Sequence, residues 1–465
     1  MKGKKQKISS DSCPQEDRAE LEVNEGVQTF IWITEKENTE GLSDNGLLER
    51  IVSPDNLNLA YKQVVRNKGV GGIDKMDVAE LKAYLLANKS ELINRLLSGK
   101  YRPQATLRVE IPKDNGQVRK LGIPTVVDRL IQQAIHQIIS PIYERQFSPV
   151  SFGFRPKLSA HDALRKIQAY AQAGYVYAVD MDLEQYFDTV NRSKLIEVLS
   201  RTIKDGRVIS LIHKFLNAGV MIAGRVEEPE TGVPQGSPLS PLLGNIMLHE
   251  CDKELCKRGH KFVRYADDML ILCKSRRSAT RTLCTTMSFI ENKLYLRVNR
   301  EKTWVSHLSK VKFLGYGFYK YKGEFRLRLH PTSREKMKSR IRELTSRSNG
   351  KGDEWRKKSL RCYIMGWLNY FKLADLKSIL SSVDEWYRRR LRMVIWKQWK
   401  RIKTRFSNLK RLGIVRQKAW EHANTRKGYW HTAKSWILSV SITNERLKRA
   451  GYLFFSDYYK KVAPL

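Results

Sequence analysis

The sequence predicts an α+β protein, and three patterns along the chain carry that prediction. Residues 262–272 form an apolar stretch, a polar break and a second apolar stretch, which predicts a β-hairpin with Asp267 and Asp268 at its tip. The surrounding region, 151–315, mixes strand and helix patterns. From about residue 330, long helical patterns rich in basic residues take over. We therefore expect a mixed region followed by a helical one.

The composition of the chain favours a nucleic-acid-binding protein. Its 465 residues are enough for about three domains, and 41% of them are hydrophobic, so the chain can bury substantial cores. It has 86 Lys and Arg residues against 48 Asp and Glu residues, a formal net charge of +38. Such an excess is typical of proteins that bind polyanions, most simply nucleic acids. A basic protein on a membrane surface is the competing interpretation, but no apolar run approaches the length of a spanning helix.

The cysteines and the first residues bear on metal binding and location. None of the six cysteines forms a C-x-x-C pair, so the sequence does not predict a zinc site. Scattered thiols, together with a start that lacks the apolar segment needed for secretion, favour a reducing cytosol. We expect a cytoplasmic protein without a membrane partner.

The N-terminal part predicts an extension followed by helices. Residues 1–45 are polar and only weakly periodic, which predicts a loosely packed extension. Helical periodicity begins near Leu47 and continues to Val65. A glycine-rich break over 68–74 separates this segment from a helix predicted around Val78–Leu97.

Two strands and a helix are expected next. Residues 101–125 predict two short strands joined by a turn at 112–116, where Pro, Asp, Asn and Gly cluster. Residues 128–144 predict a helix, because apolar residues recur there at helical spacing. That apolar stripe consists of Leu130, Ile131, Ala134, Ile135, Ile138 and Ile139.

A second group of acids lies at the end of another predicted strand. Residues 175–182 alternate in polarity and finish at Asp180 and Asp182, which lie two apart and hence on one face of the strand. Either acid could meet Asp267 and Asp268 across a sheet, and the local pattern does not choose between them. Three carboxylates at one edge would suit two Mg²⁺ ions, which clamp the oxygens of an in-line phosphoryl transfer. Taken singly, each of these acids is more typical of an ordinary strand end.

The last third of the chain concentrates positive charge and tryptophan. Residues 331–450 contain 32 Lys and Arg and 9 Asp and Glu, a net charge of +23, and eight of the ten tryptophans fall within 355–436. An amphipathic bundle with a solvated basic face would explain this pattern. With so lopsided a charge, a surface that faces phosphates is the better interpretation. The candidate contacts, on or beside a helix predicted over 380–400, are Arg388, Arg389, Arg392, Lys397 and Lys400.

Read in order, several motifs resemble a known family. The segments 182–188 (DLEQYFD), 232–243 (GVPQGSPLSPLL), 265–268 (YADD) and 313–315 (FLG) resemble successive blocks of a reverse transcriptase. More narrowly, the chain resembles a group II intron-encoded reverse transcriptase and maturase. The further segments that carry this narrower resemblance are 67–74 (NKGVGGID), 111–113 (IPK), 121–124 (LGIP), 151–156 (SFGFRP), 366–371 (GWLNYF) and 396–400 (WKQWK).

The resemblance implies a fold and its division into domains. It implies a right-hand polymerase with fingers, an antiparallel palm sheet, a helical thumb and a small basic C-terminal helical domain. We expect the fingers and palm over 46–325, the thumb and maturase region over 326–400, and a nucleic-acid-binding domain over 401–465.

The resemblance also implies a role for each residue of a catalytic site. Asp182 rather than Asp180 occupies a metal-ligand position beside Asp267 and Asp268, and Leu183 lends its carbonyl. Phe187 would stack on the sugar and exclude a 2′-hydroxyl; core packing is the alternative, and the motif favours the first interpretation. The remaining nucleotide contacts implied are Lys113 and Arg119 for the triphosphate, Gln235 and Gly236 for the pocket, and Lys302 as a candidate general acid.

The function implied is RNA-directed DNA polymerisation with two Mg²⁺ ions, coupled to intron splicing and mobility. The partners implied are group II intron RNA as template, a DNA primer or target, and dNTPs, in a nucleoid-associated ribonucleoprotein. No cysteine follows Cys362, so the paired cysteines of a C-terminal endonuclease are not expected. The alternatives are a maturase with little polymerase activity, a retron, diversity-generating or defence-type reverse transcriptase, and a purely structural basic protein.

Overall fold

The computed structural model describes residues 46–112, 116, 118–227 and 231–463. Within this part the chain forms two compact units that divide between Phe313 and Leu314. The division of the chain into the domains expected over 46–325, 326–400 and 401–465 stays a prediction. The extension predicted over 1–45 and the proposed phosphate contact Lys113 lie outside the described residues.

The first unit, up to Phe313, combines ten helices and nine strands in its described part. Several of its helices begin after a polar N-cap residue whose side chain accepts a hydrogen bond from an amide of the first turn. These N-cap residues are Ser53, Thr125, Ser159, Asn191 and Ser275. Its helices are α1 (Leu47–Ile51), α2 (Pro54–Arg66), α3 (Leu81–Leu97), α4 (Val126–Glu144), α5 (Ala160–Gln172), α6 (Tyr186–Thr189), α7 (Arg192–Thr202), α8 (Gly206–Leu216), α9 (Ser240–Lys257) and α10 (Arg276–Lys293). Its strands are β1 (Thr106–Pro112), β2 (Val118–Ile123), β3 (Tyr177–Met181), β4 (Val220–Ile222), β5 (Arg225–Glu227), β6 (Lys261–Tyr265), β7 (Asp268–Cys273), β8 (Trp304–His307) and β9 (Lys312–Phe313).

A four-stranded antiparallel sheet lies at the centre of this unit, with the strand order β6-β7-β3-β8. The predicted hairpin is confirmed: β6 pairs with β7 so that Tyr265 lies opposite Asp268. The next strand, β3, pairs with β7 in a register that places Met181 opposite Met269. The strands are apolar because both faces are covered, and Val263, Leu270 and Val179 are fully buried.

A second sheet carries the β1–β2 hairpin, which matches the two strands expected over 101–125. The strand order is β2-β1-β4-β5, with β1 parallel to β4 and antiparallel to β2. Strand β2 is also hydrogen-bonded to the segment that precedes α9: the Gly122 amide donates to the Gln235 carbonyl at 2.7 Å. The hairpin is therefore tied to the segment that carries Gln235 and Gly236.

The second unit, from Leu314 onwards, is one β-hairpin followed by helices. The hairpin pairs Tyr316 with Leu329 and Tyr321 with Glu324. Its elements are β10 (Tyr316–Tyr321), β11 (Glu324–Leu329), α11 (Pro331–Leu344), α12 (Asp353–Phe371), α13 (Lys377–Gln398), α14 (Ile402–Arg411), α15 (Arg416–Ala423), α16 (Tyr429–Thr432), α17 (Trp436–Ser441), α18 (Asn444–Arg449) and α19 (Phe455–Val462). The buried Asp384 of α13 accepts hydrogen bonds from the amides of Phe455 and Ser456, and this fixes the start of α19.

In the described parts of both units, no helix is both long enough and apolar enough to cross a lipid bilayer.

Candidate active site

Four carboxylates meet at one end of the central sheet. Asp180 is the penultimate residue of β3 and Asp182 follows that strand, while Asp267 and Asp268 lie at the tip of the neighbouring β6–β7 hairpin. The bend at the tip requires Ala266 to adopt a left-handed backbone with φ of 58°. The pairing of β3 with β7 thus places the two groups of acids on neighbouring strands.

The electrostatics of the cluster show how close its members are. Burial, followed by the neighbouring charges of Asp268 and Asp182, raises the pKa of Asp180 to about 7. Desolvation by the surrounding sheet, followed by the charges of Asp267 and Asp182, raises the pKa of Asp268 to about 6. Desolvation also raises the pKa of Asp267, although its carboxyl is open to solvent on one side. Bringing four carboxyls together is costly unless a cation offsets their repulsion.

The donor set of this cluster fits a hard divalent cation. Carboxylate oxygens are the ligands that Mg²⁺ prefers, and the Leu183 carbonyl could add a neutral oxygen. Nonetheless, in the described part of the chain no three His, Cys, Asp or Glu side chains already lie close enough together to hold a metal ion. The fit therefore rests on the chemistry and charge of the donors, and the carboxylates would close on the cation as it binds.

A cleft of about 1630 Å³ opens beside the carboxylates. Most of the residues that the sequence singled out for catalysis or nucleotide binding line this cleft, although they come from five separate segments of the chain. These are Arg119, Asp182, Leu183, Phe187, Gln235, Gly236, Asp267 and Lys302.

Phe187 and Gly236 reach the cleft through close backbone packing. The half-buried Phe187 ring lies against helix α9, where a Cβ on Gly244 would come within 3.1 Å of its Cε1. Gly236 has a φ of 112°, and a Cβ there would lie 2.8 Å from the Gly122 carbonyl oxygen. Neither glycine can carry a side chain without displacing a wall of the cleft.

Two basic side chains face the carboxylates. The Lys302 ammonium lies 3.7 Å from a carboxylate oxygen of Asp182. The guanidinium of Arg119 is near enough to Asp267 to oppose the rise in its pKa, although burial outweighs that effect. Lys302 is thus an ion-pair partner of a proposed metal ligand, a contact that the sequence did not predict.

Arg264 holds the tip of the acidic hairpin through a hydrogen bond to the Ala266 carbonyl. The sequence did not predict this role. This arginine is fully buried and donates three hydrogen bonds, at 2.8, 3.1 and 2.5 Å, to the equally buried Asp252 of α9. Its Nη1 also donates to Asn245 at 2.8 Å and to the carbonyl of Ala266 at 3.0 Å. The signal available was an arginine within an otherwise apolar strand, which needs a buried partner. We call Arg264, Asp252 and Asn245 the Arg264 cluster.

The chain also matches known families along its length. Residues 111–318 match the family described as reverse transcriptase (RNA-dependent DNA polymerase), and residues 334–413 match the maturase-specific domain of group II introns. Protein YkfC of Escherichia coli is 33% identical over 313 residues, which cover 58% of this chain and 82% of that protein.

The chain belongs to the group II intron-encoded reverse transcriptase and maturase family. The group II intron-encoded protein LtrA of Lactococcus lactis is 32% identical over 58% of this chain. A putative COX1/OXI3 intron 1 protein of Saccharomyces cerevisiae is 26% identical over 59% of it. The chain spans 56% of LtrA and 39% of the yeast protein.

In this family member, the candidate nucleic-acid contacts of the maturase region take part in packing. Arg389 donates to the Trp430 carbonyl and lies 3.9 Å from the centre of its ring. Arg392 donates to the carbonyl of Ile442 at 3.0 Å, and burial lowers its pKa. Lys397 donates to the carbonyl of Arg347 at 2.7 Å. The remaining two are Arg388, whose guanidinium lies 5.7 Å from the Phe454 ring, and Lys400, which is exposed.

The eight tryptophans over 355–436 differ in how far they are exposed to solvent. Trp396 is buried, and four others are half-buried. Trp420 and Trp436 are 56% and 62% exposed, and Trp430 is 36% exposed. Only Trp396 of the eight is therefore fully buried, and the exposed ones all follow α14.

The raised carboxyl pKa values predict how pH and Mg²⁺ affect stability. The folded chain without metal holds the Asp180 proton up to a pH of about 7, whereas an ordinary carboxyl releases it near 3.8. Its folded form therefore binds more protons in this window, and stability falls as pH rises through it. We expect Asp180→Asn to raise the thermal unfolding midpoint relative to the parent chain above pH ~7, and to have little effect near pH ~4.

Thermal unfolding followed across this pH range, with and without Mg²⁺, measures the effect. Because a cation offsets the repulsion among the carboxylates, Mg²⁺ should stabilise the parent chain more at high pH than at low pH. A difference between parent and variant that shrinks as pH rises would contradict the assignment.

Proposed function

We propose that the chain is an RNA-directed DNA polymerase that also binds its group II intron RNA to assist splicing and mobility. The observation that supports the polymerase role is that Asp182 and Asp267 line one cleft, with Asp268 next to Asp267 at the hairpin tip. The membership in an intron-encoded family supports the RNA partner.

Each side of the cleft has a part in the proposed reaction. Asp182, Asp267, Asp268 and the Leu183 carbonyl would hold two Mg²⁺ ions. The bound ions would neutralise charge and activate the primer 3′-hydroxyl for attack on the α-phosphate of a dNTP. Arg119 would hold the triphosphate, since its guanidinium projects from β2 into the cleft.

Lys302 has two possible duties in this scheme. Its ammonium is already 3.7 Å from Asp182, so it balances the charge of that carboxylate before nucleotide arrives. An ammonium in this position could then donate a proton to the pyrophosphate as it leaves. Replacement by Arg keeps the charge but raises the pKa of the donor, and so separates the two duties.

Primer extension on an RNA template tests the polymerase role. The chain should extend a DNA primer annealed to RNA when dNTPs and Mg²⁺ are present, and chelation of the metal should stop the reaction. Failure of the intact chain to extend on RNA at any Mg²⁺ concentration would refute it.

Phe187 is proposed to select deoxynucleotides. Its ring is wedged against Gly244 and backed by Tyr186, whose hydroxyl donates to the Gly244 carbonyl at 2.7 Å. The ring therefore cannot retreat from a 2′-hydroxyl. We expect Phe187→Ala to raise the efficiency of rNTP incorporation relative to dNTP by about 10–100-fold, a difference of 1–3 kcal/mol for one steric contact.

Steady-state kinetics with dNTPs and rNTPs on one template measures this ratio, with Phe187→Tyr as the control that keeps the ring. An unchanged ratio in Phe187→Ala would mean that the ring serves packing alone.

The intron RNA partner is proposed from the family and from charge. The net charge of +23 over residues 331–450 would attract phosphates, and the exposed Lys400, Trp420 and Trp436 offer contacts to backbone and unpaired bases. We propose that this complex is a nucleoid-associated ribonucleoprotein of the cytoplasm. The DNA that flanks the gene provides the test, because the proposal requires group II intron boundaries around the coding sequence.

A further inference from the structure

Phe154 is an aromatic residue that the proposed site does not yet use. It lies in the segment 151–156, which resembles the family without having a role in the proposed reaction. Its side chain is 58% exposed, and it lines the same cleft as Asp267 and Phe187. Single exposed apolar side chains are common, so the exposure of Phe154 is informative only together with its place in the cleft and its backbone conformation.

The backbone at Phe154 is held in an unfavourable conformation. Its φ is 60°, in the left-handed region that an aromatic residue rarely adopts. Among the ten non-glycine residues with positive φ in the described chain, Phe154, Gln185 and Tyr295 all line this cleft. Such strain persists only where the surroundings enforce it, and it tends to collect at functional sites.

The residues on either side of Phe154 enforce this conformation. Gly153 lies so close to the acidic hairpin that a Cβ would come within 2.2 Å of the Ala266 nitrogen. Its carbonyl accepts a 2.8 Å hydrogen bond from Asn245. On the other side, the Arg155 guanidinium donates to the carbonyls of Ser148 and Ser151, both at 2.6 Å. The ring is therefore presented to the cleft by a fixed support.

The contacts of Gly153 show which groups lie near the Phe154 ring. Gly153 touches the residue that precedes Asp267, so Phe154 lies beside the proposed metal ligands. Consecutive residues of α9, Gly244 and Asn245, contact the Phe187 ring and the Gly153 carbonyl. Phe154 and Phe187 are thus held near each other by one turn of one helix.

We propose that the Phe154 ring is a contact surface for the base or sugar of the incoming nucleotide. This rests on the proposed polymerase function and adds a binding residue to it. Arg119 supplies the charge for the phosphates, and Phe154 supplies the apolar surface for the nucleoside, which a hydrophobic face binds through stacking and van der Waals contact. A strained and exposed ring of this kind is typical of a preformed binding site, in which the ring gains its contacts only when the nucleotide binds.

Nucleotide kinetics and stability, measured together on Phe154→Ala, test the proposal. Loss of one stacked ring should raise KM for dNTP by about 10-fold while kcat changes little. The thermal unfolding midpoint should stay about the same, because the ring has few contacts to lose and alanine keeps the Cβ that strains this backbone. Phe154→Tyr should restore the parent KM, and Leu86→Ala, which removes an 81% exposed apolar side chain outside the cleft, should leave KM unchanged.

A binding measurement that needs no chemistry separates this proposal from the polymerase proposal. The complex of the chain, a dideoxy-terminated primer on RNA and the next dNTP should be weaker for Phe154→Ala by the same factor. An unchanged nucleotide affinity would overturn the proposal, as would a lowered unfolding midpoint, which would assign the ring to packing. Weaker primer binding with unchanged dNTP affinity would move the contact to the primer and overturn the assignment made here. Absence of extension by the parent chain bears only on the proposed function.

Discussion

Replacement of Asp267 and Asp268 by alanine is expected to abolish primer extension, with a fall in rate of more than about 10³-fold. Both carboxylates would be metal ligands at the hairpin tip, so their loss would remove the means of holding Mg²⁺ beside the primer end. The fold should survive. Burial and mutual repulsion raise the pKa of Asp268 to about 6, so the charges that alanine removes oppose folding at neutral pH.

Intron RNA binding provides the internal comparison for this variant. The basic residues proposed for RNA lie beyond residue 331, so the double variant should bind and splice the intron nearly as well as the parent. Glu91→Ala, which removes an exposed acid from α3, serves as a control for loss of negative charge. Substantial extension by the Asp267→Ala/Asp268→Ala variant would rule out these residues as the catalytic ligands.

Arg264→Met is expected to have the second largest effect, and to act on stability as well as on extension. Removal of one partner of a buried ion pair leaves the Asp252 carboxylate with only the His249 imidazole, at 3.9 Å, which costs about 3–5 kcal/mol. The Ala266 carbonyl also loses its donor, so the hairpin tip should lose its fixed orientation. Thermal unfolding and primer extension, measured on the same preparation, report the two effects.

A second variant separates support of the hairpin from general stability. Arg264→Met/Asp252→Leu replaces the whole ion pair by apolar side chains, and such replacements often recover much of the lost stability. We expect the unfolding midpoint to recover substantially, whereas extension should stay low and require more Mg²⁺ for half-maximal rate. Full recovery of extension together with stability would show that the Arg264 cluster contributes to folding alone.

Local pattern was enough to find the acidic hairpin and most of the secondary structure. Alternating and continuous apolar runs made 262–272 a hairpin, and the turn residues at 112–116 separated β1 from β2, because side-chain periodicity and turn chemistry are local properties. The helix expected over 128–144 is α4, which begins only two residues earlier at Val126. Domain boundaries depend on contacts between distant segments, so the boundaries expected at 325 and 400 stay predictions.

The basic residues of α13 illustrate a limit of pattern. Arg389, Arg392 and Lys397 look like a phosphate-binding stripe in the sequence, yet each donates to a backbone carbonyl of another segment. Charge and helical spacing do not reveal such carbonyls, because they arrive from residues about 40–50 positions away in the chain. Their role as nucleic-acid contacts stays a prediction, and Lys400 is the candidate with the most exposed side chain.

The sequence by itself determined the chemistry of this protein: the acidic motifs, the nucleotide-pocket motif, the excess of positive charge and the family to which these belong. The tertiary structure decided which groups meet. It placed Asp180 as well as Asp182 beside the hairpin, put Arg264 under its tip, and turned the Phe154 ring into the cleft. The physical reason is that a motif records the identity of a side chain, whereas its neighbours, its burial and its pKa depend on strands and helices that are distant in the chain.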